Sequence, residues 1–423
     1  MAFQPFPILG RALRRGLGST GRAGGGTVYL LKDEFNTPRA AGSVNGTPAE
    51  PTGQTRTAVG NDGQLSTSGG LLVVPAQTTP VWGDLGLYYA TGFARTRGLV
   101  LMIDYTQTTL GAGNYPVMWL TAAALNSAYG TGVEKGFSTD AAGLLAIGPI
   151  GQAAGGNGTI VSSTLYKFAI ILRTAGVWMF IKGGAFTNWT LVWLDVVGST
   201  ATLYAATSNF NSVGSADNIR VPVALYIPQP LAYDTFTRAN GALGSTETVG
   251  PDGQVLTPIA WGTPTGTWAI TANKAGASAL AGGLAIATLA VPSKDNFIEA
   301  ALTRAAGLVG VVGRYIDANN YIYAYHDGAN AGIKQRLASV ETDIIAATPT
   351  AFVASAVMRL IMDGNSCRLF YNNAGVGGAG AINAALNGAV DGLYTTDTGN
   401  TFDGVTSWAR GTGGEYEAGL NPL

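Results

Sequence analysis

The chain has 423 residues, is 47% hydrophobic and 12% charged, and carries one cysteine, one histidine and a formal net charge of −1. A lone cysteine excludes an internal disulfide framework and cysteine-built metal sites, and a lone histidine excludes sites needing two or three within one chain. No Lys/Arg-rich patch lies beyond the N-terminus, which argues against nucleic acid as a partner, and no apolar run has the length of a membrane-spanning helix.

Residues 1–26 contain Arg11, Arg14, Arg15 and Arg22 and no acidic residue. A secretory signal would place its apolar core after its charges, whereas here "AFQPFPILG" precedes them and carries two prolines. The segment reads either as a solvated basic tail or as an anchoring arm. In the second reading Phe3, Phe6, Ile8 and Leu9 insert into a partner beside Arg11, Arg14 and Arg15, and "GSTGRAGGG" is the tether. The arm is preferred here, because a solvated tail gains nothing from exposed phenylalanines.

From residue 27 onward the signal is β. "GLVLMIDY", "YKFAIIL", "VWMFIK" and "TLVWLDVV" are short β-branched and aromatic runs, separated by turn residues as in a sandwich or barrel. Residues 40–70, rich in Gly, Thr and Pro, are expected to form an elaborated loop. The second half supplies "NFIEAALTR", "LVGVVGRYID", "NYIYAYHD", "VMRLIMD" and "CRLFYNN". "DGNS" between the last two predicts a hairpin turn, and "RTAG" takes the same slot in the first half. Residues 277–291 are alanine-rich, but Gly282 and Gly283 in their middle predict a hairpin rather than a helix. Residues 121–129 are ambiguous.

The halves repeat each other. "LLKDEFNTPRAAGS" at residues 30–43 returns as "LAYDTFTRANGALGS" at 231–245, and "YKFAIILRTAGVWMFIKGG" at 166–184 as "VMRLIMDGNSCRLFYNN" at 357–373. The closing stretches 198–218 and 388–404 also match. Three blocks in the same order imply a duplicated domain with a core in each copy. The expected organisation is an arm at 1–26, sandwiches at 27–228 and 229–412, and a tail at 413–423 that is a second contact segment.

"VGVVGRYIDANNYIYAYHDGANAGIKQRLASVETD" at residues 309–343 resembles the concanavalin A-like or laminin G-like jelly-roll superfamily. There a strand ending in Gly-x-x-x-Arg leads through Asp-x-x-Asn-Tyr into an aromatic strand. The opening "DTFTRANGALGS" with the later "GTWAITANKA" is similar to the start of such domains in phage and environmental proteins. Copy one matches only at its ends. The resemblance implies an all-β fold of two tandem jelly-roll sandwiches, with a face that holds glycans or protein. Neither copy carries the carboxylate strand motif of the hydrolase branch, nor an acidic cluster for rim calcium, so no catalytic residue, metal or cofactor is expected.

Candidate side chains concentrate in copy two. Tyr321, Tyr323 and Tyr325 alternate onto one sheet face, where they would stack on a sugar with Asn319 and Asn320 as hydrogen-bond donors. The competing reading packs these tyrosines between sheets or against a neighbouring copy. His326 shares the other face with Ile322 and Ala324 and reads as structural, as does Cys367, while Asp317 and Asp327 read as turn caps at opposite strand ends. Trp261 and Trp268 are expected in the core; Trp119, Trp189 and Trp193 in the core or at an interface. The expected function is a non-enzymatic bacteriophage virion protein of tail or head, assembled in the host cytoplasm. Its partners would be other virion proteins, further copies of itself and cell-surface glycans. The alternative is a secreted or surface carbohydrate-binding module of glycosidase-like ancestry.

Overall fold

The computed structural model describes residues 27–60, 64–76, 85–109, 113–121, 133–139, 145–148, 159–195, 200–210 and 213–423. These residues form four sheets, two of eight strands and two of seven, with every pairing antiparallel. The fold is all-β, two β-sandwiches in tandem, and the α-helix among the described residues is the four-residue Glu417–Leu420.

The duplication holds strand for strand in the inner sheets, whereas in the outer sheets Val340–Pro349 of the second copy has no counterpart among the described residues of the first. In the first sandwich the inner sheet runs in space through Phe186–Asp195, Val177–Gly183, Leu165–Leu172, Val100–Thr109, Val213–Pro222, Leu71–Val74 and Ser66–Ser68. In the second it runs through Ala374–Ala381, Ser366–Tyr371, Ala356–Asp363, Asn296–Thr303, Thr401–Ala409, Lys274–Ala279 and Thr267–Thr271. In each sandwich one further short strand, Tyr29–Asp33 or Ala232–Asp234, pairs with the corresponding fifth strand. In the outer sheets Val133–Thr139 takes the place of Asn320–His326, each following its counterpart of Val309–Asp317. Copy one has thus kept the topology where it lost the Asp-x-x-Asn-Tyr motif.

Period-two alternation explains the cores. Ile298, Met358, Leu360 and Leu369 of the second inner sheet meet Val311, Ile322, Ala324 and Leu393 of its outer sheet. The central hairpins close as their turn residues require. Asp363 pairs with Ser366 around Gly364 at φ 54°, and the Arg173 N–H donates to the Gly176 carbonyl at 3.1 Å. Residues 277–291 depart from the expected hairpin. Lys274–Ala279 lies in the inner sheet and Ala285–Ala290 in the outer, so Gly282 and Gly283 carry a crossover between layers. Residues 40–70 are more than a loop, since they contribute the strands Arg56–Gly60 and Ser66–Ser68. Of residues 121–129 only Thr121 lies within the described residues.

The repeated Asp-x-Phe is a folding device. Asp33 and Asp234 are fully buried, and each accepts the N–H of the phenylalanine two residues on, Phe35 or Phe236, which sits at positive φ. Each aspartate also pairs with an arginine stacked on that phenylalanine: Arg56 in the first copy, Arg238 in the second. A third donor completes each set, the Tyr89 hydroxyl or the Trp261 indole, both at 2.7 Å.

The two inner sheets pack against each other through their outward faces. "VWMFI" and "LFY" are apolar and buried on both faces because each strand lies between two layers. Trp193 meets Phe370 at 4.8 Å, Phe180 meets Tyr416 at 4.8 Å, and the Leu191 N–H donates to the Arg410 carbonyl at 2.9 Å. The segment after Ala409 crosses to the first sandwich. There Glu417 binds Lys182 at 2.6 Å and the Trp189 N–H at 2.6 Å, while the Trp189 indole donates to Asn421 at 3.0 Å.

Candidate functional site

The tyrosines fall on the outer face of the second sandwich's outer sheet, opposite Ile322 and Ala324. A sugar platform needs ring faces open to solvent, and Tyr321, Tyr323 and Tyr325 are only 0%, 1% and 4% exposed. Instead, Tyr323 stacks on Tyr394 with centroids 4.3 Å apart, and Tyr321 stacks on Tyr315 at 5.8 Å. The Tyr323 hydroxyl donates to Glu341 at 3.1 Å; burial, with Tyr394 and Glu341 close by, pushes its pKa far above the ordinary phenol value. This face is a packed aromatic layer, not a platform.

Asn319 and Asn320 are spent on turns. The Asn319 N–H and the Asn320 amide donate to Asp317 at 2.7 and 2.9 Å, while their side-chain oxygens accept from Ser339 and from the Ala338 N–H. They lace two neighbouring turns together, and these bonds lower the Asp317 pKa. Asp327 caps the turn at the other end of the strand through the N–H groups of Ala329 and Asn330. His326 is buried between Phe352 and Tyr371, accepts the Gly328 N–H at 2.9 Å, and is held below the usual histidine pKa by desolvation. Cys367 is buried, its thiol pushed up to about 12 by the same cause. Trp261 and Trp268 lie in the second core and Trp119 in the first; Trp189 and Trp193 face the second copy's segments. Phe3, Phe6, Ile8, Leu9, Arg11, Arg14 and Arg15 lie outside the described residues.

What sequence reasoning missed is a cleft between the sandwiches. A cavity of about 320 Å³ opens there, with Phe186 and Ile361 as apolar lining and Thr187, Asn188, Ser366 and Thr412 supplying hydroxyl, amide and backbone groups. Arg368 and Asp363 are its charged residues. Asp363 is engaged by Arg410 at 2.8 Å. The size suits a small ligand, and the polar lining is uncharged save for those two side chains. The signal in the sequence was the two-sided apolar character of the strands, which announces a third layer and hence a seam at its rim. Among the described residues no three His, Cys, Asp or Glu side chains gather where a metal ion could sit.

The sequence matches no protein-family model and none of the curated proteins. Among solved structures, the carbohydrate-binding module CBM66 from Bacillus subtilis is similar at 18% identity and TM-score 0.31, over 35% of this chain and 95% of its own. A xylan β-1,4-xylosidase from Bacillus halodurans aligns at 9% identity and TM-score 0.32, over 88% of each chain. Mouse laminin α1 domains LG4-5 align at 7% identity and TM-score 0.18, over 92% of each. None of these descriptions names a virion protein. Likenesses this shallow leave the function to the geometry of the cleft.

Proposed function

We propose that the chain is a non-enzymatic glycan-binding protein whose site is the cleft between the sandwiches. The observation that carries this reading is the composition of the cleft. An aromatic ring, hydroxyls and an amide converge in a space the size of one or two sugar units, which is what recognition of a polyol demands. The non-catalytic half of the reading rests on the carboxylates. Glycoside hydrolysis uses two facing acids, and among the described residues the only carboxylate lining this cleft is Asp363, already paired with Arg410. The virion role expected from composition and from the arm has no counterpart in the described residues, and the carbohydrate-binding alternative takes its place.

A glycan array probed with the full chain tests the proposal, alongside Thr187→Trp, which fills the cleft from its exposed rim. Binding by the parent and its loss in the filled variant support the cleft. Silence across the array, or equal binding by both proteins, refutes it.

A further inference from the structure

Arg368 is the unusual member of the cleft. It projects from Ser366–Tyr371, opposite Ile361 in register, at the position Trp178 holds opposite Ile171 in the first sandwich. Trp178 is covered by Trp408, whereas Arg368 opens onto the cavity. Three other arginines at the seam each have a carboxylate: Arg173 with Asp252, Arg359 with Glu299, Arg410 with Asp363. Arg368 has no ion pair among the described residues, and its buried Nε finds no acceptor. Desolvation lowers its pKa, and the titratable group acting on it is the neutral Cys367 thiol. A cation kept partly out of water without a counter-charge is costly. The missing partner is an acceptor with two oxygens, which a guanidinium fork recognises bidentately.

We infer that the cleft selects an anionic saccharide, a sugar bearing a carboxylate or a sulfate, whose charged group is taken by Arg368. This rests on the reading of the cleft as a glycan site and names the class of glycan. Arg368 confers the preference for charge; the hydroxyl and amide lining holds the ring.

Calorimetric titration of the full chain with two matched pairs decides it. One pair is an oligogalacturonate and its methyl ester; the other is a sulfated galactan oligosaccharide and its desulfated form. In at least one pair the charged member binds about ten-fold or more tightly than its neutral partner, and the pair that responds identifies carboxylate or sulfate as the group read. Arg368→Gln abolishes the difference without lowering the melting temperature, since no partner is lost and an uncompensated charge is removed, and Arg368→Lys restores part of it. Equal binding of charged and neutral members, or selectivity that survives Arg368→Gln, overturns the inference while leaving the glycan site standing. If neither member of either pair binds, the inference falls, and the array then decides whether the glycan site falls with it.

Discussion

Trp178 of the first sandwich meets Trp408 of the second edge to face, with ring centroids 5.6 Å apart and planes at 63°. Arg173 lies over both rings, at 4.8 and 6.0 Å, and pairs with Asp252 of the second copy at 3.4 Å. Both indoles are fully buried, so the contact has the character of a domain core rather than of a wet hinge between modules.

Trp178→Ala therefore costs about 3–5 kcal/mol, the usual loss for removing a buried tryptophan. Each sandwich retains its own inter-sheet core, so the variant unfolds in two calorimetric transitions where the parent shows one. A double-mutant cycle with Trp408→Ala isolates about 0.5–1.5 kcal/mol for the aromatic pair. A single, unshifted transition in Trp178→Ala would mean that this contact does not carry the coupling between the sandwiches.

Much of this architecture was legible in the sequence. The duplicated blocks, the Asp-Gly hairpin and the alternation of Tyr321, Tyr323 and Tyr325 against Ile322 and Ala324 follow from local chemistry and period two. What was not legible depends on contacts distant in sequence. Alternation separates two faces of a strand without saying which is covered, so the tyrosines read as a platform when they form a packed layer. Asn319 and Asn320 read as free donors because their acceptor at Asp317 is local but their other partners, Ala338 and Ser339, lie on the next turn. Arg368 drew no notice because an unpaired arginine is visible only once its neighbours are in place.

The repeated aspartates separate two kinds of buried charge. Asp33 and Arg56 are both 0% exposed, whereas the side chain of Arg238, the partner of Asp234, is 29% exposed. Asp33→Asn strands a guanidinium in the core and costs about 3–5 kcal/mol. Asp234→Asn lets Arg238 turn to water and loses mainly hydrogen bonds to Phe236 and Trp261, about 1–3 kcal/mol. Denaturant unfolding of the two variants ranks them, and equal losses would contradict the distinction.

Asp391 makes stability fall as pH rises. It is fully buried, accepts from Asn296 at 2.9 Å and Ser407 at 2.6 Å, and burial raises its pKa to about 7. Between roughly pH 4 and 7 the unfolded chain ionises this group while the folded chain keeps the proton, so stability drops through that window and levels above it; the ceiling is about 4 kcal/mol. His326 acts oppositely. Its folded pKa is depressed, so stability is lost as pH falls below about 6.5. The parent curve mixes the two, and only the difference between parent and Asp391→Asn isolates the aspartate. That difference shrinks with acidification from pH 7.5 to 4.5; a difference constant with pH would remove Asp391 as its source.

The segment after Ala409 acts as an internal strap. Glu417 ties Lys182 and the Trp189 N–H; burial pushes its pKa up, but the bonds from Lys182, Trp189 and Asn421 outweigh that and leave its carboxylate below the usual pKa. Tyr416, fully buried, covers Phe180 and donates to the Ala409 carbonyl at 2.7 Å. Deleting residues 413–423 uncovers Phe180 and Trp189 on the first sandwich, creating an apolar patch next to the seam. The truncated chain gains binding of a hydrophobic dye; made in the Trp178→Ala background, where the two transitions are resolved, the truncation lowers the one assigned to the first sandwich, while the second, whose core the strap does not enter, is unchanged. Glu417→Gln gives a milder form, about 1 kcal/mol, because Lys182 and Glu417 are partly exposed and screened. If the deletion lowers only the second sandwich's transition, the strap belongs to the copy it follows in sequence and not to the copy it touches.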